Sequence, residues 1–457
     1  MKRLCRALVA MVIGISLFAG CGREQAGEIS QNQPSAIVGS ETDVFTQDDG
    51  DYVQRGERIT LTLGIVMEDP KLKRAVAAYN AQSENYYVEI VEYNGSVEWQ
   101  AAKDRFLMDL ATGKGADIVG LELMIPDELG YAGVLMDLNT FLTNEERQEK
   151  YLGNILECTQ TGEALYEISP AFCLELIVGD GSKIGMGNGW TLEEMLDSFE
   201  QNGRGATALA KGGALPVAYF TAYSIDDYVN WDTGTADFCN EKFYRLLEFG
   251  KSADTGEFIR PTRESVSTGT HLASCEKLVG MADTQYFNWL FGENMVVKGY
   301  PSSYGTGVAV EMNYGAIGIY ASSQCPEGAW DFVEFYIGAT WIEKNSFSGT
   351  FGGFPINRQR FEEELENSMQ EYTADGSRRI LRWGEDGSPN FYANSAEDVE
   401  DLRKIIALAD RRAFSVNSVI IQIIEEEIGG YYAGALTAEQ TAEKIQNRVQ
   451  LYLDEQK

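Results

Sequence analysis

Residues 59–93 decide the fold class, and they read ITLTLGIVMEDPKLKRAVAAYNAQSENYYVEIVEY. The first seven residues alternate between apolar and smaller side chains, which is the period of a β-strand. Beyond them, Leu72, Val76 and Tyr79 are spaced by four and three residues and so share one face of a helix. β-Branched and aromatic residues fill positions 87–93 and predict a second strand.

The next segment repeats this order of strand and helix. Phe106, Leu107 and Leu110 place an apolar face on a second helix, which Gly113 ends. Residues 116–121, ADIVGL, predict a third strand. Strands and helices that alternate at this spacing imply right-handed crossovers and a parallel sheet covered by helices on both faces. The fold class that we predict is therefore α/β.

Two later helices carry clear start signals. Thr191 with Glu194 has the spacing of a capping box, and Trp190 stands where a hydrophobic staple would place it. Thr437 with Gln440 has the same spacing. These pairs predict where the two helices begin, and they give Trp190 a structural role.

The composition is that of a folded, strongly acidic protein. In 457 residues, 37 Lys and Arg stand against 70 Asp and Glu, so the formal charge is −33. We expect no nucleic-acid partner, because polyanions are bound through clustered cations. The length suggests about two or three domains. His271 is the only histidine, which excludes a histidine-rich zinc site.

The N-terminus has the pattern of a targeting signal. Lys2, Arg3 and Arg6 precede an uncharged apolar run at 7–18 that is too short for a stable membrane-spanning helix. The run ends in LFAGC, which resembles the lipobox of bacterial lipoproteins, although Phe stands where Leu is usual. We predict a signal peptide at 1–20, a lipidated Cys21 and an extracellular or periplasmic location, and the alternative is an ordinary secretory signal.

Residues 21–56 are rich in Gly, Gln, Ser, Glu and Asp, and their few apolar residues follow no period. This composition predicts a flexible tether. Five cysteines follow Cys21, with no CxxC spacing, so they do not form a disulfide framework. We expect no metal and no cofactor.

Catalytic motifs are mostly absent from the sequence. It contains no GxSxG elbow and no Walker or GxGxxG loop. A serine triad would have to use His271, which lies in SVSTGTHLAS without a sign of a nucleophile. Glycoside hydrolysis needs only two carboxylates, and composition does not exclude it. A surface glycosidase therefore stays open as an alternative.

Eight segments follow one another in a recognisable order: LKRAVAAYNAQSENYYVEIVEY (72–93), DLATGKGADIV (109–119), GVLMDLNTFL (133–142), GWTLEE (189–194), VVKGYPSSYG (296–305), CPEGAWDFVEFYI (325–337), GGFPIN (352–357) and AEKIQNRVQLYLDE (442–455). Together they resemble the extracellular solute-binding proteins of ABC importers, family 1, which mostly bind sugars. The resemblance covers nearly the whole mature chain. Two departures are Ala116, where Pro is common, and the reversed order of Trp190 and Thr191.

The resemblance implies a two-lobed periplasmic-binding-protein-like fold, in which each lobe is a sheet flanked by helices and the ligand lies in a cleft between the lobes. Lobe one would be 57–169 plus 305–347, and lobe two would be 170–304 plus 348–457. It further implies a monomeric, lipid-anchored binding protein that performs no chemistry and delivers a sugar, an oligosaccharide in our interpretation, to ABC permease subunits. A peptide or polyamine ligand is the alternative within this class.

The candidate ligand-binding residues come from two arguments. An open α/β sheet binds ligands beyond the carboxyl ends of its strands, and this places Glu68, Asp69, Trp99 and Glu122 at the site. The resemblance to the family adds four residues by their position: Phe172, Tyr286, Trp289 and Phe351. Trp231 is a further candidate because it lies in a polar, loop-like segment. Aromatic faces match the C–H faces of pyranose rings, and carboxylates accept hydrogen bonds from hydroxyls.

For four of these candidates, a structural role is the alternative to ligand contact. Asp69 precedes Pro70 and fits a helix N-cap as well as a ligand contact. Tyr286 and Trp289 could belong to the core, and Trp99 could simply start a helix. If Trp289 is a stacking platform, its loss weakens sugar binding by about 2 kcal/mol.

Overall fold

The computed structural model describes residues 58–94, 98–122, 124–203, 205–210, 216–231, 233–253, 260–312, 315–342, 352–384, 387–413 and 418–455. These residues form two compact units. Unit 1 takes its described residues from Met1–Thr143, Thr161–Pro170 and Tyr314–Glu343. Unit 2 takes its described residues from Asn144–Gln160, Ala171–Asn313 and Lys344–Lys457.

The strands in chain order are β1 (Ile59–Ile65), β2 (Tyr86–Glu92), β3 (Ile118–Gly120), β4 (Ala171–Asp180), β5 (Leu209–Ala210), β6 (Val229–Asn230), β7 (Thr235–Ala236), β8 (Ala273–Leu278), β9 (Met295–Val297), β10 (Val308–Met312), β11 (Ile317–Ile319), β12 (Phe354–Pro355) and β13 (Ala409–Arg412).

The helices in chain order are α1 (Pro70–Gln82), α2 (Trp99–Ala111), α3 (Pro126–Tyr131), α4 (Asn144–Lys150), α5 (Gly153–Cys158), α6 (Gly181–Ile184), α7 (Leu192–Gln201), α8 (Pro216–Tyr223), α9 (Glu241–Ala253), α10 (Arg263–Ser267), α11 (Asp283–Phe291), α12 (Pro326–Gly338), α13 (Arg358–Ser368), α14 (Ala396–Ala407), α15 (Ser418–Tyr432) and α16 (Ala438–Glu455). Within the described ranges, no helix combines the length and the apolar character that crossing a membrane requires.

Unit 1 contains the sheet that the sequence predicts. Its strand order is β11–β3–β1–β2, with β1 parallel to β2 and to β3, and β11 antiparallel at the edge. Phe106 of α2 packs directly on β1, where a Cβ on Gly64 would lie 2.6 Å from its ring. Tyr79 of α1 packs edge-on against Phe332 of α12, with the ring centroids 5.2 Å apart.

Unit 2 is built on a mixed sheet of order β13–β10–β4–β8–β5, and β9 and β12 also pair with β4. β4 runs antiparallel to each of its partners. One large apolar core joins this sheet to α7, α8, α9, α15 and α16. The predicted fold class, sheets flanked by helices, is confirmed.

Two segments lie in a different unit from the predicted lobe. Residues 144–160 were predicted in lobe one, but they lie in unit 2, where Tyr151 forms a bridge with Asn357 and Asn154 Nδ2 donates to Ile406 O at 3.1 Å. Residues 305–312 also lie in unit 2, because β10 pairs with β4 and β13. These partners are distant in sequence, so the local pattern did not indicate them.

Both predicted caps are present. Thr191 and Glu194 form a full capping box at α7, and Trp190 is buried beside it with its Nε1 donating to Gly299 O at 3.0 Å. Thr437 and Gln440 exchange the same two hydrogen bonds at α16. These helix starts follow from local side-chain chemistry.

Candidate ligand-binding site

The parallel strands β1 and β3 of unit 1 end at the same edge of their sheet. The segments that follow them line a small hollow of about 10 Å³, partly open to solvent, and the residues around it are Ile65, Val66, Met67, Asp69, Leu72, Gly120, Leu121, Glu122, Gly315 and Ala316. Asp69 and Glu122, which we predicted at the strand ends, therefore border the same hollow in unit 1.

Asp69 is the N-cap of α1. Its Oδ1 accepts hydrogen bonds from the backbone N–H groups of Lys71 at 2.8 Å and Leu72 at 3.4 Å. Its Oδ2 lies on the side of Gly315, 3.6 Å from where a Cβ on that glycine would stand. One carboxylate thus caps a helix through one oxygen and borders the hollow with the other.

Glu122 faces Asp69 from the end of β3. Burial raises the pKa of Glu122, the negative charge of Asp69 raises it further, and the charge of Lys71 opposes both effects. The two carboxylates are therefore electrostatically coupled. Such a pair accepts hydrogen bonds from hydroxyl groups and also attracts cations.

The other two predicted residues of unit 1 have different surroundings. Glu68 is exposed and pairs with Lys73 at 2.7 Å, and Lys73 also binds Glu92 at 2.6 Å. Trp99 begins α2 with 53% of its surface exposed and does not line the hollow. The structure therefore brings neither residue into the hollow.

Unit 2 has an edge at which the chain crosses between units. Unit 2 includes Ala171, the first residue of β4, and β10 ends at Met312, which pairs with Phe172. We call the end of the sheet where β4 begins and β10 ends the crossing edge, and we call the end where β10 begins the far edge. β8 ends at the crossing edge too, because Leu278 pairs with Leu174.

Three charged side chains meet near the crossing edge on neighbouring strands. Glu175 of β4 stands opposite Lys277 of β8, and Glu311 comes from β10 on the other side. Lys277 Nζ lies 3.1 Å from Glu175 Oε1 and 2.5 Å from Glu311 Oε2. Burial lowers the pKa of Lys277, but both carboxylates raise it and prevail. The ammonium therefore stays protonated.

Tyrosines border this charged cluster. Burial and the charge of Glu175 raise the pKa of Tyr219, on α8. Tyr219 packs near Tyr223, which stacks on Tyr300 with the ring centroids 3.8 Å apart. Aromatic faces beside fixed donors and acceptors suit a polyol ligand. We call Tyr219, Glu175, Lys277 and Glu311 the charged cluster of unit 2.

Sequence reasoning missed these four residues. One signal was present: Glu175 and Glu311 interrupt otherwise apolar strands, FCLELIVG and VAVEM. A charge within a buried strand requires a partner, but the partner Lys277 lies far away in the chain. Only the strand pairing identifies it.

Tyr286 and Trp289 of α11, which we predicted as ligand contacts, stack on each other with centroids 6.0 Å apart. The guanidinium of Arg382 lies 4.1 Å from the centroid of Tyr286, and that of Arg263 lies 6.0 Å from the centroid of Trp289. Arg382 also pairs with the buried Asp283 at 2.5 Å. Both rings therefore contact neighbouring side chains of the protein. We call Tyr286 and Trp289 the aromatic column, and it supports the packing of α11.

Phe172 has a core position rather than the ligand-facing one that we predicted. Its side chain is fully buried on β4, and its ring packs against Phe354 with centroids 5.7 Å apart. Trp231 is exposed, and its Nε1 donates to Asp226 Oδ1 at 2.8 Å. Phe351 and Cys21 lie outside the described residues.

The described residues contain no group of three or more side chains that could hold a metal ion. No disulfide joins the five described cysteines. Among them, burial raises the pKa of Cys173, and the charge of Glu311 adds to this effect. The thiol therefore stays protonated and unreactive.

The fold is that of the two-lobed periplasmic-binding proteins. MalE from Xanthomonas citri, described as a sugar-binding protein, superposes with a TM-score of 0.53 at 13% identity, over 86% of this chain and 97% of that one. An extracellular solute-binding protein family 1 from Alicyclobacillus acidocaldarius gives 0.50 at 13% identity, over 87% and 99%.

The cyclic α-maltosyl-1,6-maltose binding protein from Arthrobacter globiformis also gives 0.50, at 11% identity, over 87% of this chain and 99% of its own. At such identities the likeness establishes the fold alone. No family model matches the chain, and no curated protein is detectably similar to it.

Proposed function

We propose that the protein is the substrate-binding subunit of an ABC importer and that it captures a sugar, specifically an oligosaccharide. The observation that carries this proposal is the charged cluster of unit 2, where two carboxylates and an ammonium are held at fixed positions within electrostatic range of Tyr219. The charged groups would donate hydrogen bonds to hydroxyls and accept hydrogen bonds from them, and the partly buried ring of Tyr219 would supply an apolar contact. The sugar-binding proteins that share the fold support this assignment.

Binding is the whole activity in this proposal. The proteins of similar fold are solute-binding proteins, and the carboxylate pair of unit 1 is explained by helix capping and ligand contact without a hydrolytic step. A panel of chromogenic glycosides tests this point, because turnover of any of them by the purified protein would favour the surface glycosidase.

Delivery to a permease from a lipid-anchored position completes the proposal. Its support is the sequence pattern around Cys21 and the function of the family that the chain resembles. Reading the neighbouring open reading frames for two permease genes is the simplest check. The monomeric state is tested by sedimentation or light scattering.

A cationic ligand, such as a polyamine or a basic peptide, is the second candidate. The coupled carboxylates Asp69 and Glu122 favour it, because they concentrate negative charge beside one hollow. Binding of a cation would weaken as ionic strength rises, whereas binding of a neutral sugar would change little.

The test is a thermal-shift screen of mono-, di- and oligosaccharides and of spermidine, followed by calorimetric titration at two salt concentrations. A ligand at 100 times its dissociation constant adds about 2.7 kcal/mol of stability. We expect Tyr219→Ala to weaken sugar binding roughly tenfold or more, and Tyr372→Ala, an exposed tyrosine elsewhere in unit 2, to leave it unchanged. Salt-sensitive binding of spermidine, with no response to any sugar, would overturn the proposal.

A further inference from the structure

Two exposed aromatic rings of unit 2 share one carboxylate. Trp231 is 48% exposed and Tyr304 is 49% exposed. Trp231 Nε1 donates to Asp226 Oδ1 at 2.8 Å, and Tyr304 Oη donates to Asp226 Oδ2 at 2.9 Å. The polar end of each ring is thus held by the same side chain, which keeps the two rings adjacent.

The pair lies at the far edge of the sheet. Tyr304 precedes β10, and Val308 begins that strand at the end opposite Met312. Trp231 directly follows β6, which forms a small two-stranded sheet with β7. Glu311 of the charged cluster stands one residue before Met312, so the pair lies toward the other end of β10 from Glu311.

The support beneath Tyr304 is rigid. The buried guanidinium of Arg411 lies 4.7 Å from the ring centroid and donates to Tyr304 O at 2.8 Å and to Tyr223 O at 2.9 Å. Next to Asp226, Asp227 pairs with Lys242 at 2.7 Å. A surface held in this way loses little conformational entropy when it binds a ligand.

The chemistry of the pair fits a neutral glycan. Each exposed ring offers an apolar face to the C–H groups of a sugar, and each oxygen of Asp226 retains capacity to accept a hydroxyl. The formal charge of −33 and the adjacent Asp227 disfavour an anionic ligand.

A protein partner fits this surface less well. The residues beside the two rings include the polar Asn230, Thr233 and Ser303. A specific protein interface buries roughly 1,000 Å² or more. Two aromatic rings flanked by polar residues offer a smaller apolar area than that. A sugar chain needs no more than adjacent aromatic faces with polar groups at their rim.

We propose that Trp231, Tyr304 and Asp226 form a second carbohydrate-binding surface, which holds a neutral polysaccharide chain at the far edge of unit 2. This surface goes beyond the transport function and does not depend on it. Its role would be to keep the protein on a polymer from which shorter sugars are released.

The test is native affinity electrophoresis of the full mature protein in gels that contain amylopectin, xylan or mixed-linkage β-glucan. We expect at least one of these neutral polymers to retard the wild type. Trp231→Ala and Tyr304→Ala should each weaken the retardation roughly tenfold, and Asp226→Asn should weaken it less. Trp383→Ala, which removes a tryptophan that is 67% exposed in unit 2, should behave as the wild type.

Circular dichroism melts of each variant ensure that a loss of retardation is not a loss of folding. Trp231→Phe provides a second variant, which keeps a stacking ring and should retain part of the retardation. The proposal is overturned if none of the three polymers retards the wild type. It is also overturned if Trp231→Ala and Tyr304→Ala migrate as the wild type, or if Trp383→Ala loses as much as they do.

Discussion

Asp69 shows how one residue can serve stability and binding at the same time. Its Oδ1 caps α1 through two backbone hydrogen bonds, and its Oδ2 borders the hollow that Glu122 shares. Both interpretations offered by the sequence, N-cap and strand-end ligand residue, are compatible with this geometry. Substitutions that keep the cap and remove the charge separate the two roles.

We therefore expect Asp69→Asn to keep the stability of the wild type, because Asn caps a helix as well as Asp does, and Asp69→Ala to lower the free energy of unfolding by about 1 kcal/mol. Urea denaturation measures both. Calorimetric titration of Asp69→Asn then reports the role of the charge: a neutral sugar should lose little affinity and a cation much. Equal stability of the Ala and Asn variants would contradict the capping role.

At the scale of the element, α11 is held by its aromatic column rather than left free for a ligand. Tyr286 and Trp289 stack on each other, Phe391 meets both rings edge-on, and Arg382 connects Tyr286 to the buried Asp283. Removing one ring removes the stabilising free energy of every aromatic contact that it makes.

Trp289→Ala should accordingly lower the free energy of unfolding by about 2 kcal/mol, less than for a fully buried tryptophan because Trp289 is partly exposed. Chemical denaturation gives this value. Sugar affinity measured on the folded variant should change little. Unaltered stability together with a 30-fold loss of affinity would instead restore the stacking role that the sequence indicated.

The pair of α15 and α16 shows an ionic contribution that depends on pH. Arg448 binds Glu426 at 2.7 Å and Glu427 at 2.8 Å, and Lys444 binds Glu427 at 2.9 Å. The hydrogen bond from Arg448 lowers the pKa of Glu426, and that from Lys444 lowers the pKa of Glu427. The stabilisation is therefore complete above the pKa of an unfolded Glu, about 4.3, and is lost as the pH falls through the lower folded-state values.

Arg448→Met should cost less than about 1 kcal/mol at neutral pH, because these ion pairs are partly exposed. The difference in melting temperature from the wild type should shrink as the pH falls below about 4. Thermal denaturation at neutral and acidic pH measures it. A difference that persists in acid would assign the effect to the aliphatic stem of Arg448 instead of its charge.

For the whole molecule, the N-terminal pattern predicts how the protein is placed at the cell surface. Cleavage before Cys21 would remove three positive charges and leave a formal charge of −33 − 3 = −36. An anchor with two or more acyl chains holds stably, whereas one chain is marginal. A strongly negative protein is repelled by an anionic membrane surface, so electrostatic attraction could not replace such an anchor.

Cys21→Ala should therefore abolish membrane retention, and the protein should remain as uncleaved precursor or appear in the medium. Cell fractionation with immunoblotting shows either outcome. Cys239→Ala removes an exposed cysteine of unit 2 and should leave retention unchanged. Normal retention of Cys21→Ala would refute the lipid anchor and favour an ordinary secretory signal.

Local periodicity and local side-chain chemistry were sufficient to predict part of the fold. The alternation at 59–65, the helical spacing from Leu72 to Tyr79 and the strand at 116–121 predicted the parallel core of unit 1. The capping pairs Thr191–Glu194 and Thr437–Gln440 located two helix starts. These signals are readable because the interacting residues are neighbours in the chain.

The pairing of distant strands depends on long-range packing and was not predictable from the local pattern. It brings Glu175, Lys277 and Glu311 onto neighbouring strands, places residues 144–160 in unit 2 and buries Phe172 against Phe354. It also stacks Trp289 on Tyr286 and gives Trp231 the carboxylate of Asp226. The physical reason is that a side chain's period fixes which face of its own strand or helix it occupies, whereas its partner across the sheet is set by the packing of the whole unit.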